Sequence, residues 1–279
     1  MLFVDPRLSR AENTSCASCH NPSFDWESPV DRPVGDANTP LGRNSPSTLD
    51  HAWVQRLFWD GRARALVEQV AGAITADVEI NLSMAAVVER IGRVPEYRDL
   101  FDRAVPGEGV TPANVTRAIA TVERTLVSTR SPFDRWVEDD GSAISEAAQP
   151  GLQPFVGKAR CASCHSVWAM TDHAFRQIGL PDEDIGRGTH APDDVTMQHA
   201  FKTPSLRDTA RRAPNMHDGS LADLPAVLAH DVIGGVPRTS LSPTMRPLDL
   251  SREELGDIAA FLATLTGEVD VVALPTLPN

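Results

Sequence analysis

All four cysteines of this 279-residue chain fall into two copies of one pentapeptide, Cys16-Ala17-Ser18-Cys19-His20 and Cys161-Ala162-Ser163-Cys164-His165. None is left over for a disulfide. Two thiols one helical turn apart, followed at once by an imidazole, form the pattern of covalent c-type haem attachment: the thiols add to the two vinyl groups and the histidine binds the iron. The competing chemistries are weaker. A zinc site would gather the thiolates and histidines into one tetrahedral set, and a thioredoxin-like motif gives no reason for a histidine after both copies. Two covalently attached haems are therefore expected, with His20 and His165 as axial ligands. Attachment of this kind takes place outside the cytoplasm, so the expected location is the periplasm. No charged segment followed by an apolar one comes after Met1, which suggests a processed form lacking its signal peptide.

The haem motifs are 145 residues apart, about one domain length, so the chain reads as two tandem cytochrome c-like domains, 1–140 and 141–279. The fold expected is all-α with long loops. Apolar residues recur at helical spacing in Leu66-Val67-Val70-Ile74, Ala86-Val87-Ile91 and Val115-Ile119-Val122-Leu126. Thr111-Pro112 is a helix start, and Ser251-x-x-Glu254 is a capping box opening a last helix that should stop at Thr266-Gly267. Asp139-Asp140-Gly141-Ser142 reads as the linker. Prolines and glycines punctuate long loops around 28–48, 181–198 and 232–247, as expected where chain must wrap a cofactor. With 38 acidic against 26 basic residues the formal charge is −12. That excludes nucleic acid as the main partner and favours a protein with a basic face. No apolar run approaches the ~20 residues of a membrane span.

A haem that only carries electrons keeps two axial ligands, whereas one that activates peroxide needs an open face with acid-base groups above it. Residues 21–50 contain neither His nor Met, leaving His51 as the nearest candidate beyond the first motif. The first iron is expected to be open. From residue 171 onward come His173, His190, Met197, His199, Met216, His217, His230 and Met245. Met245-Arg246-Pro247-Leu248, on a loop just before the last helix, has the setting of the methionine ligand in single-haem cytochromes c, so Met245 is the expected sixth ligand and His230 the runner-up.

Beyond these motifs the chain resembles the bacterial di-haem cytochrome c peroxidases together with MauG and its relatives. The likeness is carried by Leu2-Phe3-Val4-Asp5-Pro6-Arg7-Leu8-Ser9, Arg43-Asn44-Ser45-Pro46-Ser47 and Phe58-Trp59-Asp60-Gly61-Arg62. It continues in Phe201-Lys202-Thr203-Pro204-Ser205-Leu206-Arg207, Met216-His217-Asp218-Gly219-Ser220 and the run Ala259 to Gly267. The resemblance implies that Trp59 relays electrons or holes between the haems. Gln69 and Glu79, ten and twenty residues further on, would be the distal-pocket amide and acid, one orienting peroxide and the other moving its proton. Asn44, with the carbonyls of Arg212 and Pro214, would bind a calcium ion.

Four departures stand out. Asp36 occupies the stretch where activation-dependent peroxidases carry a closing histidine, Ala73 replaces a distal proline, and Arg212 replaces a threonine. The position 14 residues after His217, where the family places a Met or Tyr ligand, is Asp231. The chain's one tyrosine, Tyr97, lies in an ordinary helical stretch, which leaves Met245 and His230 in contention. The resemblance implies an enzyme that uses hydrogen peroxide to form high-valent haem and oxidise a partner protein at Trp or Tyr. The alternatives are a peroxide-scavenging peroxidase fed by a small cytochrome c or cupredoxin, and a non-catalytic di-haem electron carrier.

Overall fold

Five of the helices start at a side chain that caps them. In the computed structural model, which describes residues 1–268 and 272–279, nine α-helices are found among the described residues: α1 Cys16–Cys19, α2 Leu66–Thr75, α3 Met84–Gly92, α4 Pro95–Ala104, α5 Pro112–Glu123, α6 Pro132–Val137, α7 Gln149–Val156, α8 Leu224–Ile233 and α9 Arg252–Ala263. Ser83, Thr111, Ser131, Asp223 and Ser251 each accept a backbone N–H of the first turn of the helix that follows, satisfying donors the helix itself cannot. Two-residue strands, β1 Phe175–Arg176 and β2 Phe201–Lys202, pair antiparallel. The mainly helical expectation holds. α9 ends at Ala263, three residues before the expected stop, where the backbone tightens to i→i−3 bonds, Thr264 N–H to the Phe261 carbonyl and Leu265 N–H to the Leu262 carbonyl.

The chain packs as two compact units. The first comprises Met1–Leu57, Ala63–Val127 and the closing residues 272–279; among the described residues the second comprises Phe58–Arg62 and Ser128–Glu268. The change of unit thus falls at 127/128 and not near 140, and the Asp139–Ser142 turn lies inside the second unit. The reason is α6: Phe133 donates its N–H to the Thr264 carbonyl and packs edge-on against Phe261, 5.3 Å between ring centres, which ties residues before 140 to the last helix.

In the first unit α2 and α5 pack together. Val70 and Ile74 of α2, Val87 and Ile91 of α3, and Val115 and Ile119 of α5 are buried. The second unit is built on the contact of α7 with α9, where Phe155, Leu228, Ile258, Phe261 and Leu262 form one cluster. Each such side chain contributes about 1.5–3 kcal/mol by leaving water. Gly151 allows the close approach, since a Cβ there would sit 2.0 Å from the Asp257 carbonyl oxygen.

Candidate functional site

The first Cys-x-x-Cys-His lies on α1, and His20 closes that turn by donating its N–H to the Cys16 carbonyl, 2.9 Å. The imidazole Nδ1 is 3.0 Å from the carbonyl of Pro46, so Nδ1 is the donor and Nε2 presents its lone pair. This explains the Arg43–Ser47 motif: its proline carbonyl orients the ring. Burial, only partly offset by that hydrogen bond, depresses the His20 pKa and keeps the ring neutral, as a metal ligand must be. Burial also pushes the thiols up, Cys16 to about 12 and Cys19 to about 11. They are neutral thiols. Among the described residues neither Cys-x-x-Cys-His group draws its ligand atoms into a common set within 4.8 Å.

Cys16, Cys19 and His20 open onto a cleft of about 550 Å³ including its mouth. Leu41, Val70, Ala73, Ile74 and Ile80 supply apolar walls. A thiol pair, an oriented neutral imidazole and an apolar cleft fit a covalently held haem. Gln69 and Glu79 line the same cleft, Gln69 from the face of α2 that carries Val70 and Ala73, and Glu79 from the loop after it. Gln69 Oε1 is buried with no hydrogen-bond partner. The Glu79 carbonyl accepts the Asp36 N–H, 2.8 Å, which fixes the loop against residues 35–36. Asp36 itself stands off the cleft: Arg10 Nε and Asn81 Nδ2 each donate to its carboxylate at 2.9 Å, and the Arg10 hydrogen bonds lower its pKa. His51 is not among the lining residues either.

One lining residue escaped the sequence reading. Glu123, the last residue of α5, is 4 % exposed and faces the cleft. Burial raises its pKa to about 8, with Arg124 opposing. Val115, Ile119 and Glu123 share one helical register, but an acid closing that register reads from sequence as the solvated end of the helix.

The second motif makes a single 3-10 turn, Cys161–Ser163, again closed by the histidine: His165 N–H to the Cys161 carbonyl, 2.9 Å. Its Nδ1 meets the Met170 carbonyl at 3.1 Å, so Nε2 is again the open nitrogen. Burial raises the Cys161 thiol to about 12. The Phe201–Arg207 motif straps the loop that follows. Thr171 Oγ1 donates to the Thr203 carbonyl and Ser205 Oγ to the Ala169 carbonyl, each 2.7 Å, and Arg207 Nε donates to the Trp168 carbonyl at 2.6 Å. Arg207 also forks onto Asp134, two contacts of 2.8 Å.

The residues considered as sixth ligands differ in their commitments. His230 Nε2 donates to the Ile178 carbonyl at 2.9 Å. Met245 is half-buried on the loop that returns along the end of α8, where the Leu248 N–H reaches the Val232 carbonyl. Asp231 continues the Leu224–Leu228 register of α8; its charge acts on Cys161, and burial lifts its pKa to about 6. Tyr97 is buried in α4 and donates to Asp5, 2.6 Å.

Trp59 sits in the five-residue stretch that packs with the second unit, its ring edge-on to His217 with centroids 6.4 Å apart. Its carbonyl accepts the Lys202 N–H at 2.9 Å. Arg187 Nη1 donates to the carbonyls of Asp60 and Gly61, 3.1 and 2.9 Å. Gly61 has φ +67°, and a Cβ there would lie 2.2 Å from the Phe175 ring. Asn44 is buried in the first unit with Nδ2 on the Val30 carbonyl, 2.9 Å. In the second unit Arg212 donates to the Ser205 carbonyl at 2.7 Å, and Pro214 follows a cis bond.

Residues 1–142 match the family model described as di-haem cytochrome c peroxidase. The chain is 50% identical to the methylamine utilization protein MauG of Methylorubrum extorquens over 280 residues, 99% of this chain and 79% of that protein. It is 33% identical to the cytochrome c551 peroxidase of Pseudomonas aeruginosa over 99% of this chain and 80% of the other. Among solved structures it resembles a MauG-like protein associated with microbial copper homeostasis, with TM-score 0.89 and 28% identity over 96% of this chain and 87% of that one.

Proposed function

The chain belongs to the di-haem cytochrome c peroxidase family, and on that footing we propose that it is a MauG-like enzyme that spends the two oxidising equivalents of hydrogen peroxide on a partner protein. The family carries two c-type haems, which Cys16, Cys19 and His20, and Cys161, Cys164 and His165, are suited to hold. The bound haems supply the redox chemistry; the rest is done by this chain's side chains. In our reading the first unit is the peroxide-handling haem domain and the second the electron-transfer domain. Glu79 takes the proton from the incoming peroxide and returns it to the departing oxygen, while the Gln69 amide orients the oxygens. Trp59 relays oxidising equivalents, and Met245 would be a further protein ligand to the haem that Cys161, Cys164 and His165 would hold. The periplasm is the compartment where such attachment takes place, and a basic face on the partner would complement the net charge of −12.

The observation that carries the reading is the shared cleft: Gln69 and Glu79 line the same space as His20, while Asp36 is turned onto Arg10 and Asn81. That combination supports a pocket ready for peroxide without prior activation. The test is to add peroxide to the di-haem protein together with either a reduced small cytochrome c or candidate periplasmic partners. New oxidative mass shifts in a partner support the MauG-like role, whereas rapid cytochrome oxidation with no modified partner supports peroxide scavenging. Glu79→Gln should slow the peroxide reaction by ~10²-fold or more; unchanged stopped-flow kinetics would remove Glu79 from the chemistry.

A further inference from the structure

Glu123 has no part in the scheme above, yet it is the most unusual group in the first cleft. It is 4 % exposed, lines the same space as Cys16 and His20, and its Oε2 has no hydrogen-bond partner. A buried carboxyl without a donor is costly as an anion and tolerable as an acid. The surroundings offer little to hold it as an anion. α2 turns uncharged Gln69, Val70, Ala73 and Ile74 to the cleft, and the buried residues that α3 and the N-terminal turn contribute are Val87, Ile91, Leu2 and Phe3. Across the cleft stand Glu79, which carries the same sign, and the neutral His20 ring, with the Cys16 and Cys19 thiols that covalent attachment consumes. Among the described residues Arg124, the next residue, is the one cation acting on Glu123, and burial outweighs it.

We propose that Glu123 is a redox-linked proton acceptor of the first haem pocket. The proposal rests on the reading that Cys16, Cys19 and His20 hold that haem. When an external donor adds one electron to the first iron, one positive charge disappears from the cleft and the Glu123 carboxylate takes up one proton from water, becoming the neutral acid. Removal of the electron releases the proton again. Electron and proton travel together, so the cleft keeps its net charge. This duty differs from that of Glu79, which acts on the peroxide itself.

The test is a spectroelectrochemical titration of the intact di-haem protein between about pH 6 and about pH 9, a range bracketing shifted carboxyls. The first haem's midpoint potential should fall with rising pH at a slope approaching one proton per electron, and Glu123→Gln should flatten that slope while leaving the slope of the second haem unchanged. Redox-difference infrared spectra of the wild type provide a reading that needs no variant. A protonated-carboxyl band should appear on reduction of the first haem, and Glu123→Asp should shift it. A wild-type slope near zero, a slope retained in Glu123→Gln, or no carboxyl band overturns the proposal. A protein that attaches only one haem overturns the underlying site instead, which haem quantification shows separately.

Discussion

Replacing Arg207 with methionine tests whether the second haem-attachment loop is clamped from a distance. The Arg207 side chain is 8 % exposed and its partner Asp134 is 22 % exposed. The substitution removes the two-pronged contact to Asp134, and with it the 2.6 Å hydrogen bond to the Trp168 carbonyl. Stripping one partner from a buried ion pair costs about 3–5 kcal/mol. Here Asp134 keeps the Ser131 N–H and hydroxyl, each at 2.8 Å, and some solvent, which reduces that part to about 2 kcal/mol. The lost bond to Trp168 adds about 1 kcal/mol. The expected loss is therefore about 3 kcal/mol in urea unfolding at neutral pH, well above the ~0–1 kcal/mol of a surface pair. Arg207→Lys should recover little, because an ammonium cannot bridge both carboxylate oxygens and the carbonyl. A second signature lies in acid. Burial raises the Asp134 pKa, but the Arg207 and Ser131 hydrogen bonds outweigh it and hold it at about 2. A depressed carboxylate stabilises the fold above its ordinary pKa of 3.8, and that contribution is lost as the pH falls towards 2. In Arg207→Met this acid-dependent loss should shrink. A variant within 1 kcal/mol of wild type, or one with an unchanged acid transition, would refute the clamp.

Gly61→Ala should lower the melting temperature and alter Trp59 fluorescence, because φ +67° and a Cβ 2.2 Å from the Phe175 ring leave no room; the cost is about 1–3 kcal/mol. Tyr97→Phe should cost about 1–3 kcal/mol by removing the donor to fully buried Asp5, while both haem spectra stay as they are. For Glu123 the sign runs the other way from Asp134: its pKa is raised from 4.5 to about 8, so its neutral form favours the fold and stability falls as pH rises between those values. Glu123→Gln should flatten that dependence and add up to about 3 kcal/mol at neutral pH, read from denaturation curves at several pH values.

What was legible in the sequence was local or covalent. Thr111-Pro112 and the Ser251–Glu254 box mark helix starts because a cap and its first turn are neighbours in the chain. The haem motifs are legible because vinyl spacing and one helical turn constrain them. Glu123 was not, since an acid at the end of an amphipathic helix reads as solvated until the cleft beside Cys16 is known. The Asp134–Arg207 pair joins residues 73 apart, and neither residue type announces a partner at that range. Asp231 stood out only as a missing ligand; its placement on the Leu224–Leu228 face beside Cys161 needed the fold.

The five residues Phe58–Arg62 loop out between Leu57 and Ala63, where the Leu57 N–H meets the Ala63 carbonyl at 2.9 Å, and pack with the second unit. A cut between Val127 and Ser128 therefore does not yield two self-sufficient pieces. A fragment beginning at Ser128 would lack the carbonyls that receive Lys202 N–H and Arg187, the carboxylate beside Lys202, and the aromatic edge beside His217. Burial pushes the Lys202 ammonium down to about 8, against the pull of Asp60; without that acid its charge would be harder still to keep. The second unit made alone would have to be supplied with this pentapeptide in trans, which makes gene fission at the apparent boundary an unfavourable route for this architecture.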